Sequence, residues 1–254
     1  MDARIRAVLR RSEDAFVDEL FAAAPSAGAP LLSALFPRAF VDPNREALEL
    51  DPQMFEDELP PEANTDSPRV AAGLGMIARV VASGEEIYRR RLHVAEALLR
   101  IERYWRPYHA ILAELIAETK RRFGTCVLVD CHSMPSIGGP MERDAGRERV
   151  DIVLGDCRGT SCDSALTDRV EKDLYSLGYA VARNNPYSGG FVTQFYGRPE
   201  EEVHALQIEI NRGLYMDEAA LRRGPGFARV AGDMGKLVRM IGEIAGGLRA
   251  AAAE

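Results

Sequence analysis

Ala205-Leu206-Gln207-Ile208-Glu209-Ile210-Asn211-Arg212 alternates between apolar and polar side chains, the period of two that belongs to a β-strand. Leu206, Ile208 and Ile210 share one face, and Gln207, Glu209 and Asn211 the other. A strand inside a parallel sheet is normally apolar on both faces, because helices cover both. A carboxylate placed there costs several kcal/mol unless it is paired or holds a metal ion. The residues leave two further readings open: an ion pair with one of the arginines, and an edge strand with a wet face.

Outward from this segment the pattern repeats. Short apolar, β-branched runs at 125–131, 151–154 and 179–183 read as strands, and 163–177 and 228–249 read as helices. Strands separated by helices predict an α/β fold, a mostly parallel mixed sheet flanked by helices. Upstream, Phe16, Val17, Leu20 and Phe21 predict an amphipathic helix over 9–24, ended by Pro25, Gly28 and Pro30. The apolar stretch 31–41 predicts a buried turn or short strand. From Asp42 to Asp66 there are nine acidic residues, one basic residue and four prolines, which predicts an extended surface loop. Residues 68–123 carry apolar side chains every three or four positions and read as helical, with Pro107 starting or kinking a helix.

The 254 residues are 46% hydrophobic and 28% charged, with a net charge of −7, an ordinary globular composition. No basic tract dominates; the Arg89-Arg90-Arg91 and Lys120-Arg121-Arg122 runs read as solvated helix faces, so a nucleic-acid partner is not expected. No run of 18 apolar residues and no leader-like apolar core in the first thirty residues are present, so neither a membrane span nor a secretion signal is expected. Four cysteines, none in a C-x-x-C pair, point to reduced thiols in a cytoplasmic protein. With no repeat and no linker, 1–254 reads as a single domain.

In open α/β sheets, ligands bind beyond the carboxyl ends of the strands. Three such ends are polar here: Asp130-Cys131-His132-Ser133, Asn184-Asn185-Pro186-Tyr187 and Glu209-Ile210-Asn211-Arg212. Asp130 and His132 point to the same face, so Asp130 could accept from one imidazole nitrogen while the other binds a metal; a histidine satisfied by local hydrogen bonds is the alternative. Ser133 faces the opposite way from His132, and no G-x-S-x-G elbow is present, which argues against a serine hydrolase. Gly138-Gly139 and Gly189-Gly190 fit no phosphate-binding pattern and read as tight turns or close backbone approaches. Cys126, Cys131, Cys157 and Cys162 read as small core residues, His93 as a surface residue, His109 as helix packing, and His204 as the head of a strand.

Val129-Asp130-Cys131-His132-Ser133-Met134-Pro135-Ser136, Asn185-Pro186-Tyr187-Ser188-Gly189-Gly190 and 207–216 (Gln-Ile-Glu-Ile-Asn-Arg-Gly-Leu-Tyr-Met) resemble, in order and spacing, the N-formylglutamate amidohydrolase family. Val41-Asp42-Pro43-Asn44-Arg45 and Tyr104-Trp105-Arg106-Pro107-Tyr108-His109 are similar to further stretches of it. The resemblance implies a fold like that of the zinc-dependent exopeptidases and a zinc-dependent hydrolase. Its small dicarboxylate substrate would be N-formyl-L-glutamate, cleaved to formate and L-glutamate in histidine degradation. It implies His132 and an acidic residue of the first helix, Asp14 with Asp18 as fallback, as metal ligands, and Asp130 behind the imidazole. It further implies Glu209 as general base, and Arg45, Asn185 and Arg212 as holders of the substrate carboxylates. The family's Pro-His-Ser-Gly-like strand does not precede residue 9, so the resemblance implies a domain without that first strand and its histidine. Another N-acyl amino acid as substrate, or a ligand-binding homologue with an impaired site, are the alternative readings.

Overall fold

The computed structural model describes residues 9–10, 12–81, 84–140, 142 and 144–252. They fall into two compact units. One comprises Ala34–Leu112 with Gly139–Ala145 and the stretch ending at Glu13; the other comprises Asp14–Ser33, Ala113–Gly138 and the chain from Gly146 onward.

The second unit is built on a four-stranded sheet of β1 (Cys126–Met134), β2 (Ile152–Gly155), β3 (Val181–Arg183) and β4 (Val203–Asn211), in the order β1-β4-β2-β3. β1 runs parallel to β4 and β2 parallel to β3, while β2 and β4 are antiparallel. The sheet is therefore mixed, and the expected α/β class holds. The segment expected to be a strand with one polar face is β4, and it is no edge strand. It lies between β1 and β2, and all nine of its residues are buried. Leu206, Ile208 and Ile210 are fully buried in a core with Ile152 and Leu154 of β2. α1 (Val17–Leu20), α5 (Ser164–Ser176) and α7 (Phe227–Ala252), the last two separated by the short α6 (Phe191–Tyr196), add Leu20, Leu166, Val170, Met234 and Leu237 to that core. Asp163 caps α5 by accepting from Ala165 N–H at 2.7 Å, as N-cap aspartates do. No helix of the described residues is long and apolar enough to cross a membrane.

The helix expected over 9–24 is interrupted. Leu9 and Arg10 are helical, 12–16 are not, and helix returns only for the single turn of α1, Val17–Leu20; Phe16 before it has a left-handed φ of 65°, and position 11 lies outside the described residues. Tertiary bonds outweigh helical propensity at this point: Tyr215 OH donates to Ala15 O at 2.9 Å, and Asp14 is held on Ser133.

The first unit has its own core, with Val41, Leu50, Met54, Phe55, Met76, Ile77 and Leu92 among its members. Three sequence expectations are corrected here. Residues 31–41 form no strand; 31–37 are exposed or half-buried, Leu35 at 94%, and only the turn at 38–40 leads inward, where Ala39 and Val41 are buried. The acidic stretch 42–66 is irregular, and Glu56, Asp57, Glu58, Glu62 and Asp66 are exposed as expected, but Asp42, Glu49 and Asp51 are buried. Each has a basic partner: Arg38 (2.9 Å) and Arg45 for Asp42, Arg69 for Glu49, Arg79 (2.7 Å) for Asp51. The described residues of 72–92 are not helical. α2 (Pro68–Ala71) stops early, and helix resumes only with α3 (Val94–Arg100). A wide π-turn at Ile101–Trp105 then leads into α4 (Arg106–Phe123). The π-turn ends two residues before Pro107, whose missing N–H disturbs the regular ladder as its position predicts.

β2 ends at a glycine for a steric reason. A Cβ on Gly155 would lie 2.7 Å from Gly189 N and 2.8 Å from Ser188 C, so the 184–190 loop rests directly on the strand. Gly155→Ala is expected to lower stability by about 1–3 kcal/mol, measured by denaturant unfolding. Gly232→Ala, on α7 where a Cβ meets nothing within 4 Å, should raise it by about 0.5–1 kcal/mol.

Candidate active site

The parallel register aligns His132 of β1 with Glu209 of β4, and Asp130 with Gln207. Val129 and Cys131 lean on the apolar core with Leu206, Ile208 and Ile210. Asp130, His132, Gln207 and Glu209 therefore share the opposite face, with Val153 and Gly155 of β2 beside them. Neighbouring strands lie roughly 4.8 Å apart, so the imidazole and the carboxylate rise side by side from adjacent strands.

His132 stands between two carboxylates. Its Nε2 is 2.9 Å from Asp130 Oδ1 and its Nδ1 3.0 Å from Asp14 Oδ2. Burial alone would push the imidazole pKa down, but the charges and hydrogen bonds of Asp130 and Asp14 hold it well above its ordinary value. Asp14 also accepts from Ser133 N–H (2.8 Å) and from Ser133 Oγ (3.3 Å). That backbone N–H lies on the unpaired side of β1, the outer strand. Arg212, in the turn after β4, donates from Nε to Ser133 Oγ (3.0 Å) and from Nη2 to Ser133 O (3.4 Å). A continuous chain, Arg212–Ser133–Asp14–His132–Asp130, thus runs along the carboxyl end of β1.

The expected site residues fall as follows. Asp14, Asp130, His132 and Arg212 are joined in this chain, and Glu209 is in register beside it. Asp18, the fallback for Asp14, is exposed on α1. Asn185 is exposed on the loop after β3. Arg45 belongs to the first unit, where it is 3.5 Å from Asp42 and donates to Leu74 O and Asn44 O; burial pushes its pKa down to about 10. Ser133 bonds to Asp14 and Arg212. His93 is exposed, and His109 packs on Trp105 with ring centroids 3.9 Å apart.

Two residues of this region were missed. Gln207 donates from Nε2 to Glu209 Oε1 at 2.5 Å; its place on the polar face was visible in the alternation, but nothing marked a role. Arg149 is buried next to Asn211, which donates to Arg149 O, and its guanidinium donates to Tyr187 OH at 3.0 Å. Arg149 lies in an irregular, charge-rich segment without periodicity, so no pattern could single it out.

Residues 2–216 match the sequence profile of N-formylglutamate amidohydrolase. The chain belongs to the N-formylglutamate amidohydrolase family. An N-formylglutamate deformylase of Pseudomonas aeruginosa is 33% identical over 210 residues, 82% of this chain and 72% of that protein. One from Pseudomonas putida is 28% identical over 208 residues, 81% of this chain and 71% of its own length. The crystal structure of N-formylglutamate amidohydrolase from Ralstonia eutropha JMP134 aligns with a TM-score of 0.87 at 40% identity, covering 94% of this chain and 86% of that one.

The family resemblance implies zinc, and the donors present suit it in kind: an imidazole with a carboxylate beside it and a second carboxylate behind. They fall short in number. Among the described residues no group of three or more His, Cys, Asp or Glu side chains is arranged to hold a metal ion, whereas catalytic zinc sites use three protein ligands.

Asp14→Ala removes the acceptor of Ser133 N–H and a partner of His132. It is expected to cost about 1–3 kcal/mol of stability, read from unfolding curves. Asp18→Ala, at an exposed position, should change stability by no more than about 0.5 kcal/mol. Equal effects of the two would refute the placement of Asp14.

Proposed function

We propose that the chain hydrolyses N-formyl-L-glutamate to formate and L-glutamate. The observation that carries this reading is the register that sets Glu209 beside the carboxylate-clamped His132, in a chain of a family whose relatives bear the name of that activity. A formamide is a weak electrophile and water a weak nucleophile at neutral pH, so the reaction needs a base at the attacking water. Glu209 takes a proton from that water as its oxygen adds to the formyl carbon. The C–N bond then breaks, and Glu209 returns the proton to the departing glutamate nitrogen. Arg212 and Asn185 are the groups we assign to the substrate carboxylates, because a planar guanidinium grips a carboxylate through two charge-assisted bonds.

Zinc dependence, and the likeness to zinc-dependent exopeptidases, belong to the same proposal. His132 and Asp14 are the donors the ion would use. A bound divalent ion would supply carbonyl polarisation and a water of pKa about 7. With two such donors among the described residues, the proton transfers are assigned to Glu209 alone. All four cysteines are free thiols, which suits a reducing compartment such as the cytoplasm.

The purified chain is expected to release formate and glutamate in equal amounts from N-formyl-L-glutamate, and far more slowly from N-acetyl and N-succinyl analogues. Glu209→Gln should lower kcat by about 10²–10⁴-fold while leaving the circular dichroism spectrum unchanged. Near-normal formate release by this variant would reject Glu209 as the base, and faster turnover of another N-acyl amino acid would reject the substrate.

A further inference from the structure

We propose that Gln207 is a positioning residue that orients the Glu209 carboxylate for proton transfer. The inference rests on the reading of Glu209 as general base and deepens it. Two residues apart on one strand face, Gln207 Nε2 donates to Glu209 Oε1 at 2.5 Å. On the neighbouring strand the same device recurs in register. Asp130, aligned with Gln207, holds His132, which is aligned with Glu209. In each strand the residue two positions earlier holds the side chain that faces the chemistry. A carboxylate supports the imidazole, and an amide N–H supports the carboxylate, each matching donor to acceptor.

Gln207 is an expensive choice for mere packing. It lies in the central strand, 5% exposed, and its Oε1 is buried with no hydrogen-bond partner among the described residues. An unmatched buried acceptor destabilises the fold, and a native structure that retains one calls for an explanation. Turning the amide over would match no better, since it would set Oε1 against the Glu209 carboxylate. The side chain is also closed in from the β2 side: Gln207 is aligned with Gly155, on which the Ser188–Gly189 backbone rests. The arrangement gives up a satisfied core position and gains a carboxylate with one oxygen pinned. Fixing one oxygen directs the other, and general-base catalysis depends on such orientation.

The test compares Gln207→Met, which keeps the length without the donor, and Gln207→Glu, which keeps the shape and replaces the donor. For both we expect kcat for formate release to fall about 10–100-fold with KM within twofold, and the melting temperature of Gln207→Met to be equal to or above the parent's. In the parent protein, the Gln207 side-chain amide resonance in an ¹⁵N–¹H spectrum should shift on Glu209→Gln, a readout that does not depend on either Gln207 variant folding. Retained kcat in either folded variant, a change confined to KM, or an amide resonance indifferent to Glu209→Gln would each overturn the inference. If Glu209→Gln itself stays active, the general-base reading fails, and that failure is distinguishable because it appears with Gln207 intact.

Discussion

The candidate site depends on how β4 is packed. Leu206, Ile208 and Ile210 are fully buried on one face, and each buried aliphatic side chain contributes roughly 1.5–3 kcal/mol. That burial fixes the register, because a slip by one residue would turn the apolar set toward the polar side and bring Glu209 into the core. The same alternation that anchors the strand therefore aims Glu209 at His132. Parallel pairing with β1 completes the effect, since aligned residues of neighbouring strands point the same way and are carried at the same height.

The opposite face has to be satisfied by hydrogen bonds, since it too is largely closed to water. Buried polar groups are tolerated when networked and costly when left half-matched. Here the network is short and directional: Arg212 holds Ser133, Ser133 and His132 share Asp14, and Asp130 closes the far side of the ring. Two carboxylates about one imidazole favour its charged form, which offsets part of the cost of burying all three. Asp14 has a second task, as acceptor for a backbone N–H on the unpaired side of the outer strand. That explains why the chain gives up helical geometry before Val17. A continuous helix through Asp14 could not deliver the carboxylate to Ser133 and also place Ala15 O on Tyr215.

How much was legible from sequence follows from which forces are local. β4, β1, α5 and α7 were found nearly to their ends, because period and burial agree along them and no competing contact intervenes. The pair Asp130–His132 and the polar face of β4 were legible for the same reason. The first helix, the 31–41 segment and 72–92 were misread, because their outcome is set by partners distant in sequence. The acidic segment shows this most clearly. Its composition reads as solvent-facing, yet Arg69 and Arg79, outside it, pair with the buried Glu49 and Asp51. Ion pairing across sequence distance has no periodic signature, and the same holds for Arg149 with Tyr187.

The two faces of β4 also divide stability from chemistry. On the apolar face, loss of a methyl group is felt as a cavity, and the penalty grows with how poorly the surroundings can close over it. On the polar face the groups are held by bonds to one another, so replacing one leaves its partner unmatched while the strand itself remains anchored from behind. Residues such as Gln207, whose acceptor has no partner among the described residues, sit where the two demands conflict. A sequence selected for stability alone would place an apolar side chain there. Natural proteins depart from local consistency most often at functional sites, and here the departure lies two residues away, on the same face, from the carboxylate that the fold aims at the imidazole.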